Sequence, residues 1–145
     1  MPIARPPLAS ISVDATRILY QNVTVPIGFT FLAGAAVAIV PDSGHQHYAL
    51  CGAQAHTSLF VGFLTRDVAG GNNAIVYVGR GSKIIPLVEG DAPLIPGNDV
   101  YLSLTAGRVT QDNIPVDVHT IEFRVGSAVS ATEIVLSNEF PIVEG

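Results

Sequence analysis

The sequence GNDVYLSLTAGRVT, residues 97–110, together with IEFRVGSAVSATEIVL, residues 121–136, decides the fold. In residues 100–104 apolar side chains alternate with tyrosine and serine, which is the period of a strand with one buried face. A glycine-containing turn, residues 105–108, leads into a return strand. Residues 121–125 alternate in the same way between apolar and charged side chains. These patterns predict antiparallel sheet with one wet and one buried face, and they indicate a packing scaffold rather than a reaction centre.

Turn-forming residues divide the whole chain into short segments. Fourteen glycines and ten prolines occur along it, and no segment keeps a helical period with caps, so we expect little helix. Short apolar runs bounded by turn residues are typical of a small all-β barrel or sandwich. We expect about eight short strands, at residues 37–40, 48–51, 59–64, 74–78, 83–88, 100–104, 120–125 and 133–136.

Both ends of the chain differ from its middle. The first eight residues, MPIARPPL, are too rich in proline for a helix or a central strand. We expect residues 1–25 to form an extended N-terminal arm and residues 26–138 to form the β domain. Residues 139–145 are predicted to be an apolar, proline-containing C-terminal tail.

The β domain contains a faint internal repeat. The pattern Gly-x-x-Val begins at Gly34 and again at Gly97, and a Val-Gly step ends at Gly62 and at Gly126. Glycine after valine favours a bend or a close approach of another backbone. The repeat predicts two related β units, unless common residues recur by chance. The predicted units are residues 30–64 and 93–136.

The chain is poor in charge for its hydrophobic content. Of its 145 residues 48% are hydrophobic and 13% are charged, whereas about 25% charged residues is usual in globular domains. Such a chain cannot easily cover its exterior with solvated groups. Exposed apolar surface of this extent is expected to meet another subunit or a larger partner, so we expect a homo-oligomer.

Charge and hydropathy also limit the classes of partner. The net charge is −5 and the seven basic residues do not cluster, so we expect no nucleic-acid partner. Residues 18–41 lack charge, but polar side chains and Pro26 interrupt them, and the apolar run 29–40 is too short to span a bilayer. The run also lacks the basic leader of a signal peptide. We expect no membrane partner and synthesis in the cytoplasm.

One group of residues has the composition of a metal site: Asp42, His45, His47, Cys51 and His56. The His-x-His spacing places two imidazoles on one side of a strand, where zinc or copper could bind. The alternative is a turn followed by histidines on the rim of a strand. Because no second close ligand pair is present, we expect no metal and no cofactor. The single cysteine forms no disulfide within the chain.

The sequence offers little support for catalysis. Asp117 and His119 are candidates for acid–base chemistry, but they follow a proline in a segment typical of a solvated loop. Ser127 and Ser130 are not part of a nucleophile elbow. The glycine-rich stretches lack the spacing of dinucleotide or P-loop motifs. We therefore expect that the protein is not an enzyme.

The second half of the chain resembles a module of tailed-bacteriophage structural proteins, particularly the capsid decoration, or cement, proteins. The resemblance rests on GNDVYLS (97–103), GRVT (107–110), RVGSA (124–128) and SATEIVL (130–136). It covers residues 97–136 well and, through the internal repeat, a larger part loosely. Related segments also occur in phage fibre and tail proteins.

The resemblance implies a small β-rich protein, often trimeric, that binds the outer surface of an icosahedral head and reinforces the shell. The expected partners are further copies of the chain and the major capsid protein, and the expected location is the outer capsid surface of the virion. Proline-rich ends fit arms that reach over neighbours. The predicted contact residues are Arg5, Pro6, Pro7, Arg17 and Phe140.

Two other interpretations remain open. The first is a structural domain of a phage fibre or tail tip, which shares the same physical character at another place in the virion. The second is a β-barrel that binds a metal or small ligand through His45, His47 and Cys51.

Overall fold

The computed structural model describes four stretches of the chain: residues 10–12, 17–42, 45–112 and 120–137. Within them, two 3₁₀ turns, Thr57–Leu59 and Glu89–Asp91, are the only helical elements. The prediction of an all-β fold with little helix is confirmed. None of the described helical elements has the length and apolar character needed to cross a membrane.

The strands are shorter and more numerous than the sequence predicted. Each predicted strand overlaps an observed one. The overlap is smallest for the predicted strand 120–125, because the observed strand begins only at Arg124. The described stretches contain fourteen strands: β1 (Ser10–Ser12), β2 (Arg17–Tyr20), β3 (Val23–Thr24), β4 (Thr30–Phe31), β5 (Ala36–Asp42), β6 (His45–Leu50), β7 (Phe60–Leu64), β8 (Val68–Ala69), β9 (Ile75–Tyr77), β10 (Lys83–Ile84), β11 (Asp99–Leu102), β12 (Val109–Thr110), β13 (Arg124–Ala128) and β14 (Ile134–Leu136).

The strands form three sheets. The largest has the order β1-β2-β9-β7-β5-β6-β3, the second has the order β10-β14-β13-β11-β12, and β4 pairs with β8 in the third. Strand pairs are antiparallel except for β3 with β6. The sheets of the described residues do not close, so of the two predicted architectures the structure is the sandwich and not the barrel.

The five-stranded sheet repeats the arrangement of five strands in the larger sheet. Strands β5 and β11 each pair with a hairpin partner, β6 or β12, and on the other side with β7 or β13. Next in the sheet, β7 pairs with β9 and β13 pairs with β14. The last strand of the five is β2 beside β9 in the larger sheet and β10 beside β14 in the smaller one. We call residues 17–78 unit one and residues 83–137 unit two. Each unit begins earlier and ends later than the predicted segment, 30–64 or 93–136, although unit two ends later by only one residue.

The two units share a shift of register beside the central strand. In unit one the shift follows the pair Val37–Gly62, and in unit two it follows the pair Val100–Gly126. One extra residue in β7 or β13 therefore forms a β-bulge, which bends the strand at this point.

A tight turn precedes the central strand of each unit. Its glycine, Gly34 or Gly97, has a φ of +83° or +89°, a conformation that side chains with a Cβ rarely adopt. The amide of Gly34 donates to the carbonyl of Leu64 at 2.9 Å, and that of Gly97 donates to the carbonyl of Ala128 at 2.8 Å. We call residues 32–35 the Gly34 turn and residues 95–98 the Gly97 turn.

The units differ in the connection that leads to β9 in unit one and to β14 in unit two. Residues 65–74 join β7 to β9, whereas only residues 129–133 join β13 to β14. The longer connection carries β8, which pairs with β4. The small third sheet is therefore a feature of unit one, and it supports the turn described below.

The expectation that the N-terminal arm extends to residue 25 is wrong. Strand β2 pairs with β9, and β3 pairs with β6, so residues 17–24 belong to the large sheet. The predicted arm residues 1–9 and 13–16 lie outside the described stretches, as does the predicted tail, 139–145.

One hydrophobic core runs through both units. The ring of Phe60 in unit one lies 5.4 Å from that of Phe123 in unit two. The turn of the β11–β12 hairpin also docks on unit one, because Gly107 accepts a hydrogen bond from the Ala36 amide at 3.0 Å and donates one to the Cys51 carbonyl at 2.7 Å. The two units are thus joined by shared packing and by backbone hydrogen bonds.

Candidate partner-binding surface

Large apolar side chains are exposed at several places on this sandwich. Single exposed hydrophobic residues are ordinary, but a cluster on a rigid support indicates a binding surface. Three of the residues lie close together in the chain, between β3 and β5. The exposed large hydrophobic residues of the described stretches are Ile27, Phe29, Leu32, Ile85, Ile95, Leu104, Ile121 and Val129.

The cluster between β3 and β5 is carried by a well-defined turn, residues 26–29. The amide of Phe29 donates to the carbonyl of Pro26 at 3.2 Å, and Gly28 has a φ of +94°. This is the geometry of a type II turn, in which glycine supplies the positive φ at the third position. Ile27, at the second position, is 88% exposed and Phe29 is 60% exposed. We call residues 26–32 the apolar turn.

A neighbouring loop holds the backbone of the apolar turn in place. The amides of Gly70 and Gly71 donate to the carbonyls of Phe29 and Val25, both at 2.7 Å. A Cβ at Gly70 would lie 2.5 Å from the Pro26 carbonyl oxygen, so only glycine allows this approach. The turn therefore cannot bury Ile27 by collapsing onto the sheet without breaking these bonds.

The end of the apolar turn is fixed as well. Phe31 is buried in β4, while Phe29 and Leu32 on either side point outward. The amide of Ala33 donates to a carboxylate oxygen of Asp67 at 2.8 Å. A backbone held in place before binding loses little conformational freedom on contact with a partner, which favours affinity. The arrangement is suited to contact with another protein.

A polar cleft of about 560 Å³ lies beside the apolar turn. A second cleft, of about 300 Å³, lies in unit two between residues 85–93 and the connection between β13 and β14. The first is lined by Leu19, Arg66, Asp67, Val68, Ala69, Asn72, Asn73 and Ile75. Its exposed Arg66 and Asp67 supply the charged border of the apolar turn.

Of the five predicted contact residues, one is described. Arg17 lies half-buried in β2, opposite Tyr77 of β9, and so belongs to the sheet rather than to a projecting arm. The others lie outside the described stretches, and their contact role stays a prediction: Arg5, Pro6, Pro7 and Phe140.

The structure does not assemble the proposed metal ligands. Cys51 is fully buried, and its thiol donates to the carbonyl of His56 at 3.4 Å. Burial raises the pKa of Cys51 to about 12, which opposes formation of the thiolate that metals bind. Within the described stretches no three His, Cys, Asp or Glu residues are placed to hold an ion.

The described histidines of this group are more exposed than the buried thiol, and only the backbone of His56 contacts it. His47 is half-buried in β6 and pairs with Val40, whereas His56 is exposed before a 3₁₀ turn, with a φ of 55°. Asp42 and His45 form the last pair of the β5–β6 hairpin. The side chains of these two residues, like Asp117 and His119, lie outside what the structure describes.

The serines considered for catalysis have structural contacts. The hydroxyl of Ser127 accepts a hydrogen bond from Arg124 at 2.9 Å. The hydroxyl of Ser130 accepts hydrogen bonds from the amides of Thr132 and Glu133, at 3.3 and 3.0 Å. The bonds to Ser130 close the turn between β13 and β14.

A polar cluster that the sequence did not single out lies at the β11–β12 hairpin. The carboxylate of Glu89 accepts hydrogen bonds from the hydroxyls of Ser103 and Thr105, both at 2.5 Å. These bonds, the one from Ser103 foremost, lower the pKa of Glu89. Arg108 pairs with Asp91 at 3.0 Å beside them. The cluster fastens the hairpin to the segment before it.

The apolar turn was also missed by the sequence interpretation. Its local signal is Gly28, since glycine is the residue that the third position of a type II turn favours. Within an uncharged stretch, these apolar residues were indistinguishable from residues of a buried core. Compared with known proteins, the sequence matches no family model and no curated protein.

Proposed function

We propose that this chain is a homo-oligomeric structural protein of a bacteriophage virion, which binds the outer surface of the head and stabilises the shell as a cement protein. The proposal includes self-association, with a trimer as its expected form, and the major capsid protein as partner. It includes no catalytic activity and no cofactor.

The observation that carries this proposal is the apolar turn. Ile27 and Phe29 are exposed to 88% and 60% on a backbone held by several hydrogen bonds. Rigid apolar anchors of this kind supply much of the energy of protein interfaces. The low content of charged residues and the resemblance of residues 97–136 to cement proteins support the same function.

The mechanism of such a protein is mechanical. Each copy bridges neighbouring shell subunits, and copies joined to one another share the load. Local opening of the shell must then break several contacts at once, so contacts that are weak singly become strong together. A scaffold without mobile catalytic parts is suited to this task.

Co-sedimentation tests the proposal. The purified chain is mixed with empty heads and, separately, with isolated tails of the phage that carries its gene. We expect saturable binding to heads. The double variant Ile27→Ser/Phe29→Ser is expected to lose about tenfold or more in affinity, since it removes both anchors.

A matched control separates this surface from general hydrophobicity. Val129→Ser changes an apolar side chain that is 44% exposed in unit two, and it is expected to bind like the unchanged chain. Binding to tails alone would assign the protein to the tail or fibre. Failure to bind either particle would refute the proposal, and full binding by the double variant would remove its main support.

A further inference from the structure

Strand β1 begins beside the polar cleft that borders the apolar turn. Ser10, the first residue of β1, pairs with Tyr20 of β2. Two residues of the cleft lining adjoin Tyr20: Leu19 precedes it in β2, and the side-chain amide of Asn73 donates to its carbonyl at 3.3 Å. At ordinary strand spacings the Cα of Ser10 lies about 6 Å from that of Leu19. Residues 1–9, which lie outside the described stretches, therefore join the sheet at the edge of this cleft.

Beyond Ser10, strand β2 offers no further partner to the N-terminal residues. Tyr20 is its last residue, and the chain then turns towards β3 at Asn22, which has a φ of +63°. Pro6 and Pro7 also lack the N–H groups that a strand ladder requires. We therefore expect residues 1–9 to leave the edge of the sheet at the end that carries the cleft.

The cleft presents apolar side chains together with an available hydrogen-bond donor. Leu19 and Ile75 line it and are half-buried. Arg66 also lines it, is exposed, and makes no hydrogen bond or ion pair with any residue of the described stretches. Its guanidinium carries five N–H donors. A segment with apolar side chains and surplus carbonyl groups would fit this lining.

Residues 5–9, RPPLA, have that composition. Proline offers a carbonyl acceptor and no N–H donor, so two successive prolines leave carbonyls in excess, and Leu8 is apolar. Arg5 is the only charged side chain in residues 1–9. Its charge is opposite to that of Asp67, an exposed residue of the lining. Segment and cleft thus match in apolar character, hydrogen bonding and charge.

Attachment at Ser10 favours this segment over other occupants. A tethered segment meets the cleft at an effective concentration on the order of mM, which a separate copy of the chain does not reach at ordinary protein concentrations. The C-terminal residues 138–145 start beyond the opposite end of β9, where the Gly81 amide donates to the Leu136 carbonyl at 2.8 Å. They also carry two glutamates, whose charge is that of Asp67.

We propose that residues 5–9 occupy the polar cleft of their own chain, with Leu8 on its apolar lining and the proline carbonyls facing Arg66. The cleft and the apolar turn adjoin, because Asn72 of the lining accepts a hydrogen bond from the Val25 amide at 3.0 Å. The docked segment therefore lies beside the apolar turn and enlarges it to a single partner-binding surface. The use of this surface on the shell rests on the proposed function, whereas the docking itself does not.

Photo-crosslinking within the full chain tests the docking. A photoreactive phenylalanine analogue replaces Leu8, and normal chains are mixed in urea with chains labelled with heavy nitrogen and refolded together. We expect cross-links from position 8 to residues 66–75 in products of a single isotope. Products that join a light chain to a heavy one would show that a second copy supplies the segment. Cross-links that are absent or directed elsewhere would show that the cleft is not its site, and either result would overturn the inference.

Two exposed arginines form a matched pair for the same assay, Arg66 in the cleft and Arg80 between the units. Arg66→Gln removes the guanidinium donors, and we expect the cross-link to fall about threefold or more, which is the loss of one hydrogen bond. Arg80→Gln is expected to leave the cross-link unchanged. Equal yields from the two variants would contradict the proposed contact with Arg66.

Binding to empty heads separates this inference from the proposed function. A chain that lacks residues 2–9 is expected to bind heads about threefold or more weakly, because part of the enlarged surface is gone. Unchanged affinity would overturn the enlarged surface. If the cross-link forms as expected and the unchanged chain does not bind heads, the docking stands and the proposed function falls. If heads are bound and the cross-link to residues 66–75 is absent, cement function stands and the inference falls.

Discussion

Gly62 and Gly126 occupy the same position in the two units, each facing a backbone carbonyl of the neighbouring strand. A Cβ at Gly62 would collide with the carbonyl oxygen of Tyr77 in β9, and one at Gly126 would collide with that of Val135 in β14. Both glycines follow the bulge that bends β7 or β13. In each unit, the close approach of two neighbouring strands thus depends on a glycine, which has no side chain.

Replacement of Gly126 by alanine tests this dependence. The new methyl group has no room, because the nearest obstacle is backbone, and overpacking of this kind costs about 1–3 kcal/mol. We expect Gly126→Ala to lower the free energy of unfolding, measured in urea, by about 2 kcal/mol or more. Gly81→Ala is the control: Gly81 faces open space, so alanine meets only the backbone strain of its positive φ, +87°, and we expect the smaller loss there. Losses of equal size would contradict the crowding argument.

Phe60 is the aromatic link between the units. It is 3% exposed, and its ring lies 5.5 Å from Phe63 and 5.4 Å from Phe123. Phe60→Ala is expected to lower the free energy of unfolding by about 3–5 kcal/mol, since it opens a cavity at the junction. Phe29→Ala, at a 60% exposed site, should change it by about 0.5 kcal/mol or less. Chemical denaturation of the two variants gives the measurement. A small loss of unfolding free energy in Phe60→Ala would show that the junction between the units does not depend on this ring.

Glu89 makes stability depend on pH in a defined direction. Hydrogen bonds from Ser103 and Thr105 lower its pKa in the folded chain below the usual 4.5. The stabilisation is therefore complete above the unfolded pKa and is lost as the pH falls through the lower, folded value.

The variant Glu89→Gln isolates this effect. We expect its difference in unfolding free energy from the unchanged chain to be constant at neutral pH and to shrink below about pH 4.5, where the carboxylate becomes protonated. Denaturation curves across that range give the measurement. A difference independent of pH down to strong acid would show that the ionised carboxylate contributes nothing.

Cys51 is expected to be inert in the folded protein. Its burial and its pKa of about 12 leave almost no thiolate at pH 8. Because the thiolate is the reactive form, Ellman's reagent should react about 100-fold or more slowly with the folded chain than with the chain in urea. Fast reaction without denaturant would mean that the site opens readily.

The central strands were predictable because a single buried face repeats every second residue. Val100 and Leu102 are both fully buried in β11, as their alternation indicated. The start of β13 was not predictable in this way. Ile121 continues the same alternation, but its amide donates to Ala53 of unit one at 2.8 Å rather than to a neighbouring strand. The period of a sequence shows which face is buried and does not show which backbone is its partner.

The candidate site was largely hidden from the sequence for a physical reason. An exposed Ile27 and a buried Val37 are both simply apolar residues in an uncharged stretch. The bonds from Gly70 and Gly71 hold the turn of Ile27 on the outside, whereas Val37 is inside because it lies in β5, between two other strands of the large sheet. Strands of two residues, such as β4 and β8, are too short to show any period. The closeness of His45, His47 and His56 in the sequence likewise did not show whether their imidazole rings lie close enough together to bind one metal ion.

The shared strand order of units one and two has a consequence for symmetry. A ring built from such chains contains twice as many β modules as chains, and neighbouring modules alternate in kind. Three chains would form a six-membered array with only threefold symmetry. Such an array could follow a hexagonal outline while presenting two different faces in turn.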